Sequence, residues 1–248
     1  MIRIKNLQEI KEMRRLGKLA ARIMRSLVKS TRPGISTKGI EDNARQLMDR
    51  FNVRSAFLGY RGFPGAICIS LNDQLIHGIP SEGKIVKDAD LVSIDLGLYN
   101  GRFYTDTAYS FSLGRPAKTA KDLLDVGRGA LSKAIKSIRP EASLGDVSWA
   151  IQDFVESQGF CVVKRFVGHG IGANLHEDPE VPNFGIKGEG PALKQGMVLA
   201  IEPMVIVDSS EVEILDDGWT VISKDGKSCV HFEHTVAVTA SGAKILTS

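Results

Sequence analysis

Residues 91–114, from Leu91 to Gly114, read LVSIDLGLYNGRFYTDTAYSFSLG. Val92, Ile94 and Leu96 precede Asn100-Gly101, and Phe103, Tyr109 and Phe111 follow it, the pattern of two β-strands joined by a turn. Asn-Gly between two such runs predicts a two-residue hairpin loop, because both loop residues must adopt positive φ. With Asn100-Gly101 as the loop, Tyr99 pairs with Arg102, Leu98 with Phe103, and Asp95 falls opposite Asp106. Like charges directly opposite on a ladder repel. At an effective dielectric of 20, two charges about 4 Å apart cost roughly 4 kcal/mol. Such a pair persists only if a positive charge sits between the carboxylates or one of them is protonated.

The chain around this stretch repeats itself. Asn6-Leu7-Gln8-Glu9 is a capping box. Ile10, Met13, Leu16, Ala20, Ile23 and Leu27 then recur at helical spacing, predicting an amphipathic helix over roughly 7–30. Thr31-Arg32-Pro33-Gly34 breaks it, and Ser36 caps a second helix with Ile40, Ala44, Leu47 and Phe51 on one face. Short strands are expected around 66–71 and 91–96. Thr119 opens a third helix that stops at Arg139-Pro140, and Ser143 with Asp146 caps a fourth carrying Val147, Ile151, Phe154 and Val155. Strand-like segments follow at about 161–167, 197–207, 211–223 and 229–239. Arg32-Pro33, Ser36, Ile40, Leu47 and Met48 match Arg139-Pro140, Ser143, Val147, Phe154 and Val155 at a constant offset of 107 positions, which also carries Asp95 onto Glu202. The expectation is an α+β fold of one domain, residues 1–248, made of two pseudo-repeats (about 1–115 and 116–248). Each repeat is helix, helix and strands, and their antiparallel hairpins face one another across one site.

At 248 residues and 43% hydrophobic, the composition is that of an ordinary globular protein. A net charge of +3, from 32 basic and 29 acidic residues with no dense Lys/Arg run, argues against a dedicated nucleic-acid-binding protein. Cys68, Cys161 and Cys229 are widely spaced and form no CxxC, so neither a disulfide framework nor a thiolate zinc site is indicated. The start, MIRIKNLQEIKEMRRLGK, has no apolar core of a leader, and no apolar run reaches the length of about 18 residues that a membrane helix needs. A reduced, monomeric, cytoplasmic protein is expected.

Glu202 interrupts the apolar run Met197–Val207, and Glu233 interrupts His231–Val238. A carboxylate within an otherwise core-like strand costs several kcal/mol unless it is paired. Asp95, Asp106, Glu202 and Glu233 make four such carboxylates on hairpin strands, and Arg102 is the only arginine within seven residues of any of them. Two divalent cations neutralise all four. A set of oxygen ligands with at most one imidazole suits manganese, iron or cobalt, with zinc kept open. Two such ions lower the pKa of a shared water to roughly 7 and clamp an attacked carbonyl. His169 in Gly168-His169-Gly170-Ile171-Gly172, His176 in His176-Glu177-Asp178-Pro179 and His77 in His77-Gly78-Ile79-Pro80 add imidazoles beside glycines or acidic turns.

Together GHGIG, IEPM and FEHT, in this order and at these spacings, make the whole chain resemble the type I methionine aminopeptidases, metallopeptidases of the pita-bread fold. The resemblance implies five metal ligands at Asp95, Asp106, His169, Glu202 and Glu233. Asp95 would chelate one ion, Asp106 and Glu233 would bridge both, and His169 and Glu202 would hold the other. It further implies that Glu202 shuttles a proton, that His176 steadies the oxyanion, and that His77 contacts substrate near the scissile amide. Tyr60, Phe63, Cys68, Leu175 and Trp219 match the family's pocket for the methionine side chain, with Leu175 where some relatives carry an aromatic. A monovalent cation near the carbonyls of Asn72, Gln74 and Cys229 is also implied. Tyr104-Thr105 stands before Asp106 where the family carries glycine. Only 30 residues separate Glu202 from Glu233, too few for the helical insertion of type II relatives. The expected activity is removal of the initiator methionine from nascent polypeptides with a small second residue, with transient ribosome association and no membrane partner. An Xaa-Pro peptidase on the same scaffold, or a catalytically inactive binding module, are the alternatives.

Overall fold

A computed structural model describes all 248 residues. The first half runs α1 (Leu7–Ser30), α2 (Thr37–Arg50), β1 (Arg54–Ser55), β2 (Cys68–Leu71), β3 (Gln74–Ile76), β4 (Leu91–Asp95), β5 (Leu98–Tyr99), β6 (Tyr104–Thr105) and β7 (Ala108–Ser112). The second half runs α3 (Lys118–Ser137), α4 (Leu144–Ser157), β8 (Cys161–Val162), β9 (Gly168–Gly170), β10 (Glu177–Val181), β11 (Val198–Ile201), β12 (Met204–Ile206), β13 (Val212–Ile214), β14 (Val221–Ser223), β15 (Cys229–His231), β16 (His234–Thr239) and β17 (Gly242–Ile245).

The capping signals act as expected. Asn6 and Glu9 form a reciprocal box at the start of α1, Ser143 and Asp146 do the same at α4, and the Ser36 hydroxyl accepts from the Gly39 N–H of α2. These contacts satisfy backbone donors that the first turn of a helix leaves unpaired. One expectation fails: α3 begins at Lys118 with no side-chain cap, and Thr119 lies inside its first turn. Beneath α1 and α2, Leu16, Ile23, Leu27 and Ile40 pack on Ile67, Ile69, Val92 and Ile94. Beneath α3 and α4, Leu123, Leu131, Val147 and Ile151 pack on Leu199, Ile201 and Val236. Each half therefore has its own core.

The offset of 107 positions is structural. α2 and α4 share it at both ends, and so do the isolated bridges Ser36–Ile85 and Ser143–Ala192. The pairs Arg54–Tyr99 and Ser55–Leu98 recur as Cys161–Ile206 and Val162–Val205. Ile94 pairs with Tyr109, 15 positions on, whereas its counterpart Ile201 pairs with His234, 33 positions on. The 18 additional residues belong to the excursion that carries β13 and β14. That excursion crosses to the other half: β14 pairs with β3, Val221 opposite Ile76.

The register of the first hairpin differs from the expectation. Tyr99 pairs with Tyr104 and Leu98 with Thr105, so the loop is four residues, not two, and Asp95 lies opposite Ala108 instead of Asp106. Asn100 does not take the positive φ of a two-residue loop; only Gly101 does, at 97°. The Asn100 carboxamide oxygen instead accepts from the N–H groups of Arg102 and Phe103 at 3.0 and 2.8 Å, which holds the wider turn. A shift of two residues leaves every side chain on the same face, so Asp106 remains a diagonal neighbour of Asp95.

A second correction concerns the strands themselves. The segments expected at 197–207, 211–223 and 229–239 are each divided, the one expected at 161–167 is a strand only at Cys161–Val162, and Asp106, Glu202 and Glu233 all fall in gaps between short strands. Threonines close those gaps across the pseudo-two-fold. The Thr235 hydroxyl accepts the Asp106 N–H at 2.9 Å and donates to the Asp106 carbonyl at 2.7 Å, and the Thr107 hydroxyl donates to the Glu233 carbonyl at 2.9 Å. Thr105 is turned to Thr235, and Tyr104 stacks on Tyr99 with centroids 4.3 Å apart, so the residues that replace the family's glycine stay clear of the site.

Thr235→Val keeps the shape of this buried side chain and strands the Asp106 N–H. A loss of about 1–3 kcal/mol is expected, corresponding to a fall in Tm of roughly 2–10 °C at this chain length. Thermal unfolding at fixed pH checks it; an unchanged Tm would show that the threonine contacts do not hold the hairpins together.

Candidate active site

The three gaps that hold Asp106, Glu202 and Glu233 converge. Asp106, His169 and Glu233 are 5%, 7% and 2% exposed, and one ligand atom from each lies within 4.8 Å of the others. His169 is carried by β9 beside Ala200 of β11, which brings its Nε2 to 3.6 Å from Glu202 Oε1. The glycines around it are required by close backbone approach: a Cβ on Gly170 would lie 2.1 Å from the Asp178 carbonyl oxygen, and one on Gly168 2.4 Å from that of Ala200. Asp95 stands at the end of β4, and its charge adds to burial in holding the Asp106 carboxyl well above the usual carboxylate range. That direction is the one that protonation of one partner, the second of the two conditions on the paired aspartates, requires.

Burial governs the electrostatics. It raises Asp95 to about 6 and Glu202 to about 8, and holds Asp106 and Glu233 well above the usual carboxylate range, with the neighbouring carboxylates adding to the rise in both. Burial pushes the imidazoles the other way, His169 to about 3. Nδ1–H of His169 donates to the Gly170 carbonyl at 2.9 Å, which leaves the Nε2 lone pair facing the carboxylates. Asp95 Oδ1 and Glu233 Oε1 are buried with no hydrogen-bond partner. Buried polar groups are normally satisfied, and acceptor oxygens without donors beside an imidazole lone pair are what a divalent cation requires. The residues present fit such ions.

One member of the cluster escaped the sequence reading. His231 is buried, its Nε2 is unpartnered, and it stands 3.4 Å from Glu202 Oε2. The signal was available, because His231 and Glu233 are two positions apart and share a face of the strand. Its backbone is clamped at both ends by the Ser110 hydroxyl, which accepts from the His231 N–H at 3.0 Å and donates to its carbonyl at 2.8 Å.

The cluster forms the floor of a cavity of about 200 Å³. All twelve candidate residues line it: the five presumed ligands, His77, His176, and Tyr60, Phe63, Cys68, Leu175 and Trp219. His176 stacks on Tyr60, and its Nδ1 lies 2.8 Å from the Tyr60 hydroxyl. His77 follows β3 with φ of 57°, an uncommon conformation for a residue with a side chain, and meets Phe166 and Trp219 edge-on. Trp219 reaches it because β14 pairs with β3, and it also packs edge-on against Phe63 at 5.2 Å. Burial and the Asp95 charge push the Cys68 thiol up, so it stays neutral. Phe57, Arg61, Ile76, Phe166, Val167 and Met204 also line the cavity and carry no motif that marks them in the sequence. Asn72 and Cys229 meet outside the cavity, the Asn72 carbonyl accepting the Cys229 N–H at 3.0 Å, while the Gln74 side chain turns to Leu71.

Residues 11–240 match the sequence profile of metallopeptidase family M24. Over 247 residues, the whole of this chain and 99% of the relative, the sequence is 43% identical to methionine aminopeptidase 1 of Bacillus subtilis. The crystal structure of methionine aminopeptidase from Thermotoga maritima is similar with a TM-score of 0.98 at 44% identity, both chains covered in full. A prolidase from Pyrococcus furiosus shares the fold at a TM-score of 0.80 and 23% identity, and this chain spans 65% of it.

Folding shifts the titration of these groups in opposite senses. Histidines at about 4 (His77, His176 and His234) and about 3 (His169) bind fewer protons folded than unfolded, so they make stability rise with pH up to about 6.5. The raised carboxylates bind more protons folded than unfolded, so they make stability fall as pH rises. Above about pH 6.5 only that fall remains. In EDTA, Tm is expected to decline from about pH 6.5 to pH 8, and a divalent cation should abolish the decline by replacing the protons. A metal-free Tm that rises or stays flat over that range would contradict the protonated cluster.

Proposed function

Because this chain belongs to metallopeptidase family M24, we propose that it is a metal-dependent aminopeptidase that removes the initiator methionine from polypeptides whose second residue is small. The observation that carries this is the junction of a four-carboxylate, one-imidazole floor with an apolar, aromatic-walled cup in one cavity. Asp95, Asp106, His169, Glu202 and Glu233 would hold two divalent cations, which would supply Lewis-acid polarisation of the scissile carbonyl and a water acidic enough to attack at neutral pH.

The chain's own residues do the rest. Glu202, at the floor of the cavity, would pass a proton from the attacking water to the leaving amine. When the Tyr60 hydroxyl donates to Nδ1 of His176, Nε2 carries the proton and can donate to the oxygen on which charge develops. Burial holds His77 at about 4, so it offers a neutral donor and acceptor to the leaving amide. Phe63, Trp219, Leu175 and Cys68 form the cup for the methionine side chain, whose polarizable sulfur favours aromatic contacts.

Both halves contribute ligands, so residues 1–248 act as one catalytic domain in this reading. The full-length match to methionine aminopeptidases supports it over an Xaa-Pro peptidase, since the prolidase likeness is one of fold. No helix is long and apolar enough to cross a membrane. The enzyme would work as a monomer in the cytoplasm on N-termini of chains emerging from ribosomes.

Turnover of Met-Ala-Ser and Ala-Pro-Ala by the chelated protein, before and after adding cobalt, manganese or iron, tests the assignment. Release of methionine from the first peptide alone is expected, with Asp106→Asn inactive and Glu202→Gln slowed by roughly 10²–10⁴-fold. Trp219→Ala should raise KM more than it lowers kcat. Cleavage of Ala-Pro-Ala alone would overturn the pocket assignment, and no cleavage with any metal would overturn the enzyme.

A further inference from the structure

The outer face of α1 is a continuous line of positive charge. Lys11, Arg15, Lys18, Arg22, Arg25 and Lys29 recur every three or four positions, and all six are exposed. At 3.6 residues per turn they fall within about 80° of arc and extend over roughly 27 Å. Arg14 borders the same strip and is also exposed. None of the seven has an ion-pair partner; Arg22 alone finds a contact, over the Phe51 ring at 4.7 Å. The two acids on α1, Glu9 and Glu12, are engaged by Arg3 and Arg102.

The pseudo-repeat supplies an internal comparison. At the offset of 107, Lys11, Arg14, Arg15 and Lys18 of α1 correspond to Lys118, Lys121, Asp122 and Asp125 of α3. On α3 those residues pair, Lys118 with Asp122 and Lys121 with Asp125. On α1 the two acidic positions are arginine and lysine, so like charges stand at i, i+3 and i, i+4, which destabilises an isolated helix. A chain that gives up those pairs on one helix and keeps them on its twin presents a surface for an external polyanion.

We propose that this face of α1 binds the phosphate backbone of folded RNA. A membrane surface fits less well. Helices that lie in bilayers need a free apolar face, and the apolar side of α1 is turned inward, with Met13, Ile23 and Leu27 fully buried and only Leu7 of the first turn exposed. Neutralisation of phosphates by a line of cations needs no base contacts and depends steeply on salt. The net charge of +3 conceals the strip, because its cations are spread by helical spacing instead of lying in one run. The proposal rests on the reading of the chain as an enzyme of nascent polypeptides, whose source is an RNA-rich particle.

The test is binding of the metal-loaded protein to a fluorescent 20-base-pair RNA duplex and to purified ribosomes, with Met-Ala-Ser turnover measured separately. Wild-type affinity for the duplex should fall with salt at a log–log slope of about −4 to −6. Arg15→Asp with Lys18→Asp installs on α1 the pairs that α3 uses, so this variant keeps its helix. It should bind duplex and ribosomes at least 30-fold more weakly and lose about 2 from the slope, with peptide turnover unchanged. The charge-matched control, Lys133→Asp with Lys136→Asp on α3, should stay within about threefold of wild type. Equal losses in variant and control, no wild-type binding to RNA, or tighter binding to phosphatidylglycerol vesicles than to RNA would each overturn the proposal. The turnover assay fails only if the enzymatic reading does, so the two failures are distinguishable.

Discussion

Four carboxylates buried against one another are the constraint on which the rest of this structure depends. Asp95, Asp106, Glu202 and Glu233 are withdrawn from water with no lysine or arginine among them, and neighbouring carboxylates add to the cost of ionising Asp95, Asp106 and Glu233. Burial favours the protonated carboxyls, and divalent cations would stabilise the ionised ones instead. Asp95 Oδ1 and Glu233 Oε1 are buried acceptors without donors. A fold that assembles such a cluster must be held by something else, and here that is the pair of helix-backed cores on either side.

The pseudo-two-fold explains how the cluster can be placed so exactly on short, interrupted strands. Asp106, Glu202 and Glu233 sit in gaps between the ladders, and backbone groups exposed by such gaps need partners. The opposite half provides them, through Thr235 to Asp106, Thr107 to Glu233 and Ser110 to His231. The same hydrogen bonds therefore join the halves and aim the carboxylates. Symmetry is broken by the excursion bearing β13 and β14, which exists only in the second half and brings Trp219 to meet His77 and Phe63. In the proposed reading the symmetric part holds the chemistry, and the asymmetric part shapes the cup.

Much was legible in the sequence by itself. Capping residues set three of the four helix starts, because a cap is a contact within three or four positions. The constant offset exposed the two halves, and acids interrupting apolar runs exposed the floor of the site, since an unpaired carboxylate has no place in a core. Other features were decided by tertiary structure alone. The hairpin register followed from the Asn100 side chain capping a wider turn, a choice that local propensity does not separate from a two-residue loop. Phe57, Phe166 and Met204 join the site only through contacts between segments distant in sequence, and no spacing announces them. The meaning of the α1 cations likewise needed the fold, because exposure and the lack of partners are properties of a packed helix. Short-range hydrogen bonds and periodicity are written in the order of residues, whereas burial, register and the meeting of distant side chains exist only once the chain has closed on itself.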